Sequence, residues 1–266
     1  MLVVAFALLS GHAVVRAGAA TDPVTPAGPP APDVFDVGLD PGHGDDPGLW
    51  LSWSLVDRSR DRRIGSAESG TARTNAESSI KVWIAADYLR DAQEDERSLS
   101  AGELALVDRA IQASDDIAAE TMYRSIGRDQ IFIDLDRTCG VRVATSHAFY
   151  WSYGQITADD ATRILGCVLD RAPSYPYGGR LLDDLYHVDV DGTFGIPEAL
   201  GPSVLVAVKN GWTAHGETGL WNVNCVAAWG HYTLAVLTRY PASLGKAYGA
   251  NICKQVTQQL LVNPGS

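Results

Sequence analysis

The order of segments in this chain restricts its fold more than any single motif does. Near the start, Leu49 to Val56 and Arg62 to Glu68 have strand composition on either side of a charged turn at Arg58 to Asp61. From Ser78 the period becomes helical. Val82, Ala85, Ala86 and Leu89 share one face, as do Leu104, Val107 and Ile111 in a second helix over Ala101 to Ala113. A third helix covers Ile117 to Ile126 and stops at the C-cap residue Gly127. Residues 128–156 read as irregular and aromatic, with Phe149 to Tyr153 packing the loop against the core rather than lining a pocket, the alternative role for such a cluster. Thr157 opens a helix with Asp159 and Asp160 in its first turn, where carboxylates suit the macrodipole, and it runs to Asp170. Leu181 to Val188 forms a short helix. Leu205 to Lys209, Trp221 to Ala228 and Tyr232 to Thr238 return to strand composition, and Leu244 to Leu261 closes the chain as a helix. Two strands, a helical middle, three strands and a last helix predict an α+β fold. Its antiparallel sheet is discontinuous in sequence and flanked by helices.

The remaining bounds come from composition. A chain of 266 residues, 46% of them hydrophobic, can bury the core of one domain, with or without a helical subdomain. The formal net charge of -11 argues against nucleic acid and anionic membrane as partners. Leu2 to Leu9 is apolar but too short to span a bilayer, and Ala17-Gly18-Ala19 offers small residues at a cleavage site. A signal peptide is therefore expected over 1–20, a Pro/Gly/Asp-rich tether over 21–47 and one domain over 48–266. The first basic residue is Arg16, so a start upstream of Met1 stays open; no Cys follows the apolar run, so no lipid anchor is expected. Secretion to the cell envelope or beyond is the expected location, with a monomer as the expected state.

Four cysteines, Cys139, Cys167, Cys225 and Cys253, lack C-x-x-C spacing, which argues against zinc. His43 with Asp45 and Asp46 reads as solvated linker, so no metal and no organic cofactor are expected. An even cysteine count in an exported chain favours disulfides over buried thiols. Cys225 on a strand and Cys253 on the closing helix are predicted to pair. Cys139 and Cys167 flank the aromatic loop and are predicted to tie it to the following helix.

Three short motifs carry chemistry. In Ser78-Ser79-Ile80-Lys81, residues 78 and 81 lie three apart and share a helical face. A hydroxyl becomes a nucleophile when a neighbour takes its proton, and a Lys can do so only when neutral. The same spacing recurs at Ser243-Leu244-Gly245-Lys246, but only Ser78 opens an apolar helix after two strands. Ser114-Asp115-Asp116 serves equally as a helix N-cap or as a site element. Lys209-Asn210-Gly211, followed by Trp212, is either a turn or a strand edge beside a site. His147 and His215 are lone histidines, more in keeping with solvated loops than with bases.

In this order the motifs resemble the S-x-x-K, S-D-N and K-T-G elements of class A β-lactamases and penicillin-binding proteins. The resemblance runs from Leu49 to Leu261, and the neighbourhoods of Phe194 and Trp221 look like those of actinobacterial secreted serine hydrolases. It implies a β-lactamase/transpeptidase-like fold with a trimmed helical subdomain and a serine ester intermediate on Ser78. Lys81 would be the base, Ser114 the proton relay, and Lys209 the anion-recognising cation. The N–H groups of Ser78 and Trp212 would form the oxyanion hole, with Asp116, Asn210 and Gly211 contacting a small-molecule or peptide substrate, such as one related to the cell wall. Two departures matter. Asp116 replaces Asn and can only accept, and Asn210 replaces Thr. No Glu occurs between Glu120 and Glu198, so the loop glutamate that activates water in class A enzymes is missing. The implied activity is acyl transfer with little lactam turnover. The alternative is an inert protein of the same fold that binds a cell-wall or protein partner.

Overall fold

The computed structural model describes residues 48–261; the expected signal peptide, tether and extreme C-terminus lie outside them. A long strand, β1 (Trp50–Asp57), and a short one, β2 (Arg62–Gly65), start the sheet. A short β3 (Thr74–Asn75) leads through a 3-10 turn at Glu77–Ile80 into α1 (Lys81–Glu94). Three helices follow: α2 (Ala101–Gln112), α3 (Asp116–Ser125) and α4 (Gln130–Cys139). Then come β4 (Ala144–Thr145), β5 (Gly154–Ile156), α5 (Ala158–Arg171), α6 (Gly178–Tyr186) and α7 (Ile196–Leu200). The chain finishes with β6 (Ala207–Val208), β7 (Gly211–His215), β8 (Leu220–Trp229), β9 (Tyr232–Pro241) and α8 (Gly245–Leu261).

The main sheet has the order β2-β1-β9-β8-β6, with β7 also paired to β8. All its pairings are antiparallel, so the first and last thirds of the chain meet along β1 and β9. This is the discontinuous sheet that the segment order predicts. β6 and β7 form one edge strand interrupted at Lys209-Asn210. The register against β8 is unchanged across the break, from Val208↔Ala227 to Gly211↔Asn224. At the break the Asn210 side chain stands in for a backbone carbonyl, accepting from Val226 N at 3.0 Å. A small second sheet, β3-β5-β4, flanks the turn that carries Ser78, with Ala76 N donating to Gly154 O at 2.7 Å.

Helices cover both sheet faces, and two apolar clusters fill the gaps. One holds α1, α5 and the helical region; the other holds α7 and α8. Local chemistry sets the helix starts. Ser100 with Glu103 and Thr157 with Asp160 form reciprocal capping boxes on α2 and α5. The two predicted disulfides are present: Cys225–Cys253 joins β8 to α8, and Cys139–Cys167 joins α4 to α5.

Three boundaries differ from expectation. Residues 128–156 are not wholly irregular, since α4 lies there, burying Ile131, Phe132 and Leu135 and ending at Gly140 in the left-handed conformation. Its β-branched and aromatic content disguises an amphipathic helix. Ser78 precedes α1 rather than opening it, sitting in the 3-10 turn. The strand expected over Leu205 to Lys209 is reduced to two residues and continues beyond Gly211 instead.

Candidate active site

The three motifs come from three elements and converge on one cleft of about 420 Å3, with Ser78, Ser114, Asp116 and Trp212 on its walls. Ser78 is supplied by the 3-10 turn. Its neighbour Ser79 is buried, and the Ser79 hydroxyl donates to Ala76 O at 2.6 Å, which leaves Ser78 as the hydroxyl facing the cleft. Two non-glycine residues beside this cleft hold positive φ, Glu77 at 51° and Ser114 at 54°. Conformations of this kind cost energy and tend to persist at functional sites.

Lys81 is fully buried at the start of α1. Its ammonium donates to Asp116 Oδ1 at 2.6 Å, to Ser114 Oγ at 3.3 Å and to Ser114 O. Lys209 is also buried, and its Nζ donates to Ser114 Oγ at 2.9 Å. Ser114 thus sits between two lysines. Burial lowers Lys81 from its ordinary value, with Asp116 opposing. Burial lowers Lys209 further, and the neighbouring Lys81 charge adds to that. Two close ammonium groups with one carboxylate favour a neutral amine in the pair. Ser78 Oγ itself has no hydrogen-bond partner among the described residues. Lys81 turns toward Ser114 and Asp116 instead, whereas the three-residue spacing predicts it beside the Ser78 hydroxyl.

Several expected roles change on inspection. Asn210 is not placed to bind substrate. Its amide donates to Gly192 O and Phe194 O at 3.0 Å each and its oxygen takes Val226 N, so a buried side chain is already fully used. Gly211 is required by its close approach to the Ser78 turn. A Cβ there would lie 2.6 Å from Ser79 N and 2.8 Å from Ser78 N. Lys209 lies beneath the cleft rather than on its wall, so any anion would feel it through Ser114. Of the two roles open to the aromatic loop, the structure shows the pocket-lining one for Tyr150, Trp151, Ser152 and Tyr153, of which only Trp151 is buried. Lys81 Nζ lies 5.0 Å from the centre of the Trp151 ring.

Two cleft residues escape sequence reasoning. Glu77, directly before Ser78, is 2% exposed, and its Oε1 accepts from His215 Nε2 at 2.7 Å and from Asn222 Nδ2 at 3.0 Å. His215, expected in a solvated loop, is 6% exposed at the end of β7. The period of two along β7 places Gly211, Thr213 and His215 on one face, a signal that could have located it. The hydrogen bond to Glu77 raises His215 above its usual value, against the effect of burial. Glu120 also lines the cleft and pairs with Arg124 at 2.5 Å. Among the described residues, no group of three or more His, Cys, Asp or Glu side chains is arranged to hold a metal.

Comparison with solved structures places this fold. A β-lactamase from Xanthomonas campestris pv. campestris superposes with TM-score 0.64 at 16% identity, covering 80% of this chain and 90% of that one. A class A β-lactamase from Bacteroides cellulosilyticus gives TM-score 0.66 at 14% identity over 81% and 91%. The TLA-3 extended-spectrum β-lactamase gives 0.66 at 13% identity over 82% and 95%. The chain therefore has a β-lactamase-like α+β fold. No protein-family model matches it. In sequence it is similar to a protein named "Putative lipoprotein LppW" from Mycobacterium tuberculosis and Mycobacterium bovis, 29% identical over 176 residues. The match covers 62% of this chain and 54% of the relative, so the chain spans about half the length of the relatives it matches.

Proposed function

We propose that this protein is an exported serine acyl hydrolase or acyltransferase that works through an ester on Ser78. The observation that carries the reading is the convergence of Lys81, Lys209 and Ser114 behind the wall that bears Ser78. Among the described residues that meet near this hydroxyl, a neutral lysine is the strongest base. Lys81 takes the proton from Ser78, through Ser114 or directly after a small side-chain rotation; catalytic hydrogen bonds commonly tighten only when substrate binds. Ser78 Oγ attacks a carbonyl of an ester or amide, and the N–H groups of Ser78 and Trp212 receive the developing oxyanion. Ser114 then passes the proton to the leaving group. Lys209 holds Ser114 in place and helps keep Lys81 neutral. The aromatic wall of Tyr150, Tyr153 and Trp212 suits a small-molecule or peptide substrate with an apolar group, of the kind found in cell-wall peptides. The lipoprotein name of the relatives and the two disulfides support an extracytoplasmic location.

Turnover of lactams is expected to be poor. The loop at 140–153 supplies hydroxyls and rings but no carboxylate to activate water. A specific observation favours a second reading, an inert binding protein: Asp116 holds Lys81 at 2.6 Å and stabilises its ammonium. Labelling with a fluorophosphonate across pH separates the two. Label that is absent in Ser78→Ala supports the hydrolase, and no label at any pH supports the binding protein.

A further inference from the structure

The two oxyanion donors of the proposed site belong to different elements. Ser78 N lies in a short 3-10 turn, and Trp212 N lies on β7. Their separation has to be fixed by contacts between those elements. Gly211 provides close approach but no bond. The bond comes from Glu77. Its left-handed φ of 51° is uncommon for a residue with a Cβ, and something must hold it. Its carboxylate turns inward and takes two donors through one oxygen, His215 Nε2 on β7 and Asn222 Nδ2 on β8. A second tie runs alongside, where Asn224 Nδ2 on β8 donates to Asn75 O at 2.8 Å and to Ala76 O at 3.1 Å.

We propose that Glu77, with His215 and Asn222, is a positioning device that anchors the residue before the nucleophile to the strand carrying the second oxyanion donor. This rests on the Ser78 reading for its catalytic consequence but not for its geometry. The groups around His215 come from every neighbouring element. Glu77 faces Nε2 from the turn; Glu217, after β7, has Oε1 3.5 Å from Nδ1. The Tyr153 ring stands 5.5 Å away and its hydroxyl donates to Glu217, while Asn75 Nδ2 lies 3.4 Å from Nε2. Both imidazole nitrogens face carboxylates, and the Glu77 hydrogen bond raises His215 above its ordinary value, against burial. The charge pairing is present below the ordinary histidine range and is lost as pH rises through the raised value. The Nε2–H hydrogen bond to Glu77 outlasts it, because a neutral imidazole keeps one N–H.

The test uses Glu77→Ala and Glu77→Gln in the full chain. The binding constant and the acylation rate constant for a fluorescent penicillin are measured separately. Exchange of the Ser79 amide, which bonds to Ala76 O at 3.2 Å, is followed by NMR together with the His215 titration. Glu77→Ala should slow acylation by about 10²-fold, the cost of a displacement near 1 Å, while binding changes by less than about threefold. Ser79 exchange should quicken. Glu77→Gln should recover most of the rate, since its amide oxygen still accepts from Asn222 and His215, while His215 titrates at lower pH. A Glu77→Ala protein that acylates and exchanges like the parent overturns the proposal, as does a Gln variant no better than the Ala one. If the parent takes no label, the Ser78 reading fails and Ser79 exchange alone decides. Faster exchange in Glu77→Ala then supports the anchor, and unchanged exchange overturns it. Should Glu77→Ala not fold, Asn222→Ala removes one of the two donors and must show the same changes to a smaller degree.

Discussion

Replacing Asp116 by Asn removes the nearer of the two carboxylates, Asp116 and Asp115, that oppose a neutral Lys81. The carboxylate sits 2.6 Å from Lys81 Nζ, and the exchange removes its charge while nearly keeping the side chain's shape. Asp116 is largely exposed, and strong solvent screening is the appropriate assumption. Two unit charges this close interact by about 1.5 kcal/mol even in bulk water. An energy of about 1.4 kcal/mol corresponds to a factor of ten in a protonation equilibrium. At a fixed pH below the Lys81 titration, the neutral fraction should therefore rise about tenfold in Asp116→Asn, and acylation with it. The sign follows from Asp116 raising Lys81: without it, the rising limb of the rate–pH profile moves to lower pH. The assay is the rate of fluorescent-penicillin labelling from pH 5 to 10, read by gel and by intact mass. The Asn also regains a donor for a substrate carbonyl, so the plateau should not fall. A limb that stays in place, or moves to higher pH, would refute Lys81 as the base.

Other outcomes follow from packing and burial. Gly211→Ala should lower acylation by about 10²-fold or more and cost about 1–3 kcal/mol in denaturant unfolding, because its Cβ would press on the Ser78 turn. Removing the Cys225–Cys253 bridge, which spans 28 residues, should destabilise the fold by about 3.5 kcal/mol on the chain-entropy model, measured as a loss in unfolding free energy. Asp87, buried on α1 against Arg90, is pushed up to about 7, chiefly by desolvation. The native state then holds a proton that the unfolded chain has released, so stability should fall as pH rises from about 4 to 7. Asp87→Asn should flatten that slope in denaturant midpoints taken across the same range; an unchanged slope would contradict the assignment.

Much of this arrangement was legible in the residue order. Strand composition at both ends and helical spacing at Val82, Ala85 and Leu89 carry the discontinuous sheet and its inserted helices. The Ser78, Ser114 and Lys209 motifs could be aligned because each lies within three or four residues. What was hidden depends on contacts distant in sequence. Asn210 reads as a substrate contact until its partners Gly192 and Phe194 are seen on a neighbouring loop. Glu77 and His215 are 138 positions apart, so no local pattern pairs them. Helix α4 escaped because the β-branched and aromatic Ile131, Phe132 and Ile133 have weak helix propensity and read as irregular, and the burial of one face outweighs that propensity.

The most direct measurement is intact-mass spectrometry of the parent protein and Ser78→Ala after incubation with benzylpenicillin over several hours and a range of pH. The expected result is a covalent adduct on the parent, carried by the peptide containing Ser78, formed slowly, persisting without turnover, and absent from the Ala variant. The contradicting results are an adduct that survives in Ser78→Ala, rapid appearance of hydrolysed lactam, or no adduct at any pH.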